Sequence, residues 1–88
     1  MMDAISVHIL SGEQTILETR AEYVNLPTGF GSLGILAGHA PMLCNLEEGV
    51  VLCRGSQGTV RVRIGAGIAS VEHNELNVLV PFGEILEG

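Results

Sequence analysis

The stretch Gly29-Phe30-Gly31-Ser32-Leu33-Gly34 matches the GxGxxG pattern with which many proteins grip a dinucleotide. The pattern works where its last glycine opens a helix whose N-terminal amides hold the pyrophosphate. Here Gly38 and Pro41 follow too closely for such a helix. Arg54 stands about twenty residues on, where a ribose-binding acid belongs. The nucleotide reading fails on that context. A Walker A loop needs a lysine, and the chain has none; Ser32 and Ser56 lack the GxSxG frame of a nucleophile elbow. His8, His39 and His73 lie in distant stretches with no HxH, HExxH or CxxC spacing, so no metal centre is expected. What spacing alone leaves open is a site assembled by folding, either a metal centre or a Ser or Cys brought against His39. No catalytic residue and no cofactor is expected.

The residues that could meet a partner sit on short elements. Twelve glycines and three prolines divide the chain, with β-branched runs between them. Ser6-Val7-His8-Ile9-Leu10 alternates as a strand, with Ile5, Val7 and Ile9 on one face. The segment 13–26 is free of Gly and Pro and could carry a helical stripe, but Thr15, Ile16, Thr19, Tyr23 and Val24 favour two strands. Pro27 is expected to end it, and Thr28-Gly29-Phe30-Gly31 to form a loop. Residues 31–43 are broken by Gly31, Gly34, Gly38 and Pro41, so no helix can run through them. They read as a tight, partly buried corner holding His39. Residues 42–46 then make a short strand. Residues 50–54 and 58–64 make a hairpin with Val60, Val62 and Ile64 inward and Thr59, Arg61 and Arg63 outward. Strands at 68–71 and 76–80 follow, separated by His73-Asn74, and the tail after Pro81 reads as too short for a further element. Turns at about 8–12-residue spacing argue for an all-β, two-layer sandwich or flattened barrel.

Composition narrows the partner. The 88 residues predict one domain, 1–88, that buries only about 60–65% of its unfolded surface. The net charge is −6, and Arg20, Arg54, Arg61 and Arg63 are the only Lys or Arg residues. Four arginines cannot supply the basic stripe that nucleic acid requires, and an anionic bilayer would repel the chain. Neither nucleic acid nor direct lipid insertion is therefore expected, which leaves a protein or small-molecule partner. Aromatics make up 3% of the chain, too few to stack sugars. Met1-Met2-Asp3-Ala4 shows no basic segment ahead of an apolar one, so a cytoplasmic product is expected, with Cys44 and Cys53 reduced.

Gly34-Ile35-Leu36-x-Gly38-His39-Ala40-Pro41-x-Leu43 resembles the glycine-rich, His-Ala-Pro segment of the epsilon subunit of F-type ATP synthases. Val24-x-Leu26-Pro27, Leu46-Glu47-Glu48-Gly49-Val50-Val51 and Gly65-Ala66-Gly67-Ile68-x-x-Val71-x-x-Asn74 resemble further blocks of that family, in its order and spacing. The resemblance implies a two-sheet β-sandwich of about ten short strands in the central stalk, with no catalysis of its own. Its partners would be the gamma subunit and the c-ring of the membrane sector. The gamma-facing residues would be Ser11, His39, Met42, Leu43 and Cys44, and the ring-facing ones Phe30, Gly31 and Ser32. Location would be peripheral, at the cytoplasmic face of the inner (plasma) membrane.

Departures from the family pattern shape the expectation. Ser32 stands where members often have a carboxylate, and so offers no charge to the ring. Ala37 replaces a proline and Ala66 a glycine. Typical members continue into a helical hairpin that can inhibit hydrolysis and, in some, bind ATP. The sequence ends at Gly88, so neither property is expected of it. The reading is a subunit that transmits proton- or sodium-driven rotation. The alternative is a stand-alone sandwich that binds a small ligand or a metal.

Overall fold

The computed structural model describes residues 4–86. The expectations attached to the first three residues and to Gly88 lie outside the described residues. Ten strands run in order: β1 (Ile5–Ser11), β2 (Gln14–Ala21), β3 (Tyr23–Thr28), β4 (Gly31–Leu36), β5 (Met42–Leu46), β6 (Gly49–Gly55), β7 (Gly58–Ile64), β8 (Gly67–Glu72), β9 (Glu75–Leu79) and β10 (Gly83–Leu86). They form two five-stranded sheets, β2-β1-β9-β8-β5 and β10-β7-β6-β3-β4. The segment 13–26 is indeed two strands. The sandwich expected from turn spacing is the fold.

Alternation sets the faces. Ile5, Val7 and Ile9 of β1, Leu76 and Val78 of β9, and Ala69 and Val71 of β8 point inward from the first sheet and are buried. Val24, Leu26, Ile35, Val51, Cys53, Val62 and Ile64 meet them from the second sheet. Side chains with a period of two can serve only one core, so register is fixed wherever a face is buried. No polar or charged side chain is buried among the described residues. Val60 is only half-buried but packs against the same core.

Three expectations need correction. β3 does not stop at Pro27 but continues to Thr28. The Pro27 carbonyl accepts the Glu47 amide at 3.0 Å, so that edge of the residue faces away from β4, and the missing N–H is not required there. Residues 31–36 are a strand rather than a corner. β4 pairs with β3 along its whole length, Ile35 buries inward, and the Tyr23 ring lies where a Gly34 side chain would stand. The corner is confined to 37–41. The tail, finally, does form an element. A bend at Pro81-Phe82, held by the Gly65 amide donating to the Phe82 carbonyl at 3.2 Å, lays β10 antiparallel to β7.

Cys44 and Cys53 are free thiols, one on each sheet. Burial raises both pKa values, and for Cys53, 2% exposed, the rise from 9.0 reaches about 11. A thiol harder to ionise when folded stabilises the fold below pH 9.0 and loses that contribution as pH climbs through about 11. Unfolding free energies from urea titrations should therefore fall between pH 9 and 11, by at most about 1.4 kcal/mol per pH unit from this group. Cys53→Ala should be less stable at pH 8 but show a flatter alkaline decline. Parallel declines would refute the assignment.

Candidate partner-binding surface

The corner 37–41 links the two sheets, running from β4 to β5. Gly38 takes φ +86°, which side-chain-bearing residues rarely adopt. The His39 amide donates to the Leu36 carbonyl at 3.1 Å, closing the turn. The Gly38 amide donates to Asn74 Oδ1 at 2.7 Å, across to the β8–β9 turn. His39 Nδ1 lies 2.8 Å from the Ala40 carbonyl. A carbonyl can only accept, so the proton sits on Nδ1 and Nε2 remains for another contact. His39 itself is half-buried.

β5 then divides by parity. Met42 and Cys44 are half-buried and pack inward against the core, opposite Val71 and Ala69. Leu43 points outward, opposite Ser70, and is 70% exposed. Next to it on the outer face runs a row in which Leu10 pairs with Leu79, Leu79 with Ile68, and Ile68 with Asn45. Leu79 is 49% exposed. This apolar row was not among the residues picked out from the sequence. The signal for it was present: Leu10, Leu43 and Leu79 each have the opposite parity to the inward residues of their own strand.

Ser11 lies elsewhere. It ends β1, where its hydroxyl donates to the Pro81 carbonyl at 2.9 Å. The start of that strand is the end near the corner, since the Ser6 amide donates to the Asn74 carbonyl at 2.9 Å. The fold thus gathers His39, Met42, Leu43 and Cys44 and leaves Ser11 at the far end of the sheet. The Leu10-Leu79-Ile68 row crosses the sheet toward the Ser11 end, Leu10 being the residue before Ser11.

Phe30, Gly31 and Ser32 form the tip of the β3–β4 hairpin. Thr28 Oγ1 donates to the Gly31 carbonyl at 2.7 Å and accepts the Phe30 amide at 3.2 Å, so the tip is braced. The Phe30 ring is fully exposed. Tip and corner occupy opposite ends of β4, roughly 20 Å apart for a six-residue strand. Beside the tip, Thr28, Phe30, Leu33, Cys44 and Glu47 line an open groove of about 470 Å³.

A cleft of about 670 Å³ by the β6–β7 turn is lined by Arg20, Glu22, Ser56, Gln57 and the buried Cys53. Among the described residues no three His, Cys, Asp or Glu gather as a metal site. Arg61 and Arg63 stand exposed on the outer face of the second sheet, with Arg63 3.1 Å from Glu84. Arg54 lies 4.8 Å above the Tyr23 ring.

Residues 4–84 match the model of the ATP synthase delta/epsilon chain β-sandwich domain. The ATP synthase epsilon chain of Cyanothece sp. is 39% identical over 80 residues, 91% of this chain and 58% of that protein. The epsilon chain of Synechococcus sp. is 40% identical over 80 residues, with the same coverage of 91% and 58%. The chain thus spans a little over half the length of these relatives. Among solved structures, a chain of the Euglena gracilis mitochondrial ATP synthase (OSCP/F1/c-ring) superposes with a TM-score of 0.86. It is 20% identical, and the match covers 93% of this chain and 53% of that one. A chain of the Tetrahymena thermophila central stalk and c-ring assembly gives 0.74 at 17% identity, covering 91% and 65%. At such identities the likeness speaks for the fold.

Proposed function

The chain belongs to the ATP synthase delta/epsilon-chain β-sandwich family, and from that premise we propose that it is a non-catalytic subunit of the central stalk. It joins the gamma subunit to the c-ring, so that rotation driven by protons or sodium ions reaches the catalytic head. As one folded unit it is held peripherally, at the cytoplasmic face of the inner membrane, through the assembled synthase.

The observation that supports this best is the outward face of the first sheet, which carries Leu43 near the His39 corner and the Leu10-Leu79-Ile68 row toward the Ser11 end. Leu43 at 70% and Leu79 at 49% exposure are large apolar side chains with nothing over them in the isolated chain. Gamma covers this face. Leu43 and His39 touch it directly, Met42 and Cys44 support the strand from beneath, and Ser11 marks the far margin. Phe30, Gly31 and Ser32 face the ring. The separation of corner from tip suits a coupling role, because one rigid body then meets two partners at opposite ends. Interdigitated side chains between the sheets resist shear, which torque transmission requires.

A specific contact of this kind covers about 800 Å² on each partner. Mixing the chain with a gamma subunit from a cyanobacterial relative should give a one-to-one complex that survives size-exclusion chromatography with light scattering. A chain that elutes alone, folded, at micromolar concentrations would overturn the proposal.

A further inference from the structure

The β8–β9 turn consists of His73 and Asn74, both with positive φ, 53° and 60°. Two-residue turns of this kind favour glycine at the second position, because glycine has no Cβ to crowd the backbone. Asparagine tolerates the conformation less well, so its side chain invites an explanation. Here that side chain reaches out of its own turn. Its Oδ1 accepts the Gly38 amide at 2.7 Å, 36 residues away in sequence, while the Asn74 carbonyl accepts the Ser6 amide at 2.9 Å. One residue therefore ties together the β8–β9 turn, the start of β1 and the corner 37–41.

Apart from the packing of Ala37 against the core, the corner has few other restraints. Nothing lies within 4 Å of where a Gly38 side chain would stand. Within the corner, the turn bond from the His39 amide to Leu36 and the contact of His39 with Ala40 do not reach the first sheet. Among the described residues, the Asn74 bond is the side-chain hydrogen bond that ties the corner to that sheet just before β5 begins.

We propose that Asn74 is a positioning residue: by holding the Gly38 amide it sets the corner that presents His39 and the start of β5, and with them the gamma-facing surface. This rests on the function proposed above. Asn74 need not touch gamma. It acts through the backbone of residues 38–42.

Two substitutions separate latch from turn. Asn74→Gly keeps the positive φ and the carbonyl that serves Ser6 but removes the acceptor for Gly38. Asn74→Asp keeps an acceptor oxygen at the same place. Amide hydrogen exchange followed by NMR reports on Gly38 directly, and calorimetric titration reports affinity for a gamma subunit. Asn74→Gly should speed Gly38 exchange about tenfold and leave core amides such as Val78 unchanged. It should weaken gamma binding by about tenfold, and Asn74→Asp should restore both. Unchanged Gly38 exchange in Asn74→Gly overturns the latch, as does a uniform rise across the core, which would mark a merely structural role. Faster Gly38 exchange with wild-type affinity overturns its part in presenting the surface. If the wild-type chain fails to bind gamma, the proposed function falls, and the latch is still decided by the exchange of Gly38.

Discussion

Gly67→Ala is expected to remove about 3 kcal/mol of stability, the upper end of what overpacking costs. A Cβ on Gly67 would run into the Leu79 carbonyl oxygen and stand 2.8 Å from Val80 Cγ1. The first neighbour is backbone and cannot swing aside. Moving it pulls on Val80, which is 6% exposed and whose amide donates to the Leu10 carbonyl at 3.0 Å. The strain thus spreads from β8 through the end of β9 to β1. Small domains have only about 5–15 kcal/mol in all, so such a loss is large. In a chain of this size it should lower the melting temperature by roughly 12–24 °C. Gly29→Ala is the control, since its Cβ would meet nothing within 4 Å and its backbone is not in the left-handed region. Circular-dichroism melts of both variants decide the matter. A Gly67→Ala chain that melts with the wild type would show that β8 and β9 part more easily than their packing indicates.

The clash at Gly67 also marks what could not be read from residue types. The sandwich followed from alternation, because Ile5, Val7 and Ile9 or Val60, Val62 and Ile64 have only one consistent inside. The corrections arose where tertiary pairing overrode a local signal. Pro27 reads as a breaker, yet β3 turns that edge of the residue toward the Glu47 amide rather than toward β4. Gly31 and Gly34 read as turn residues, yet β4 needs only one partner strand and Tyr23 fills the gap over Gly34. The tail looked too short because its stability comes from β7, not from its own length. The candidate surface shows the same division. Residues 39 and 42–44 stay together because they are neighbours in sequence, while the place of Ser11 depends on the direction of β1, which the sequence leaves open. The Leu10-Leu79-Ile68 row needs the strand order β1-β9-β8, in which β1 and β9 run parallel. No pattern within one strand announces that order.

Leu43→Asp is the substitution expected to act most strongly on partner binding. Leu43 projects from an edge strand with 70% of its surface in water, so a carboxylate there stays hydrated in the isolated chain. Exposed substitutions away from special features change stability by about 0.5 kcal/mol or less. Once gamma covers the face, the same carboxylate is stripped of water with no cation beside it: neighbouring Ser70 and Asn45 carry no charge, and none of the four arginines lies on β5, β8 or β9. An unpaired charge taken out of water costs several kcal/mol. Affinity for gamma should therefore fall at least 100-fold, a change of about 2.7 kcal/mol. Met42→Asp should behave differently, because Met42 packs against the core and its replacement unfolds the chain before binding can be asked. Leu79→Asp, on the same outer face and two strands away, should weaken binding while the fold holds. Titration calorimetry beside urea denaturation separates the two effects for each variant. If folded Leu43→Asp and Leu79→Asp chains both bound gamma with wild-type affinity, the leucine face would not be where the shaft rests, and contact would have to run through the exposed face of the other sheet.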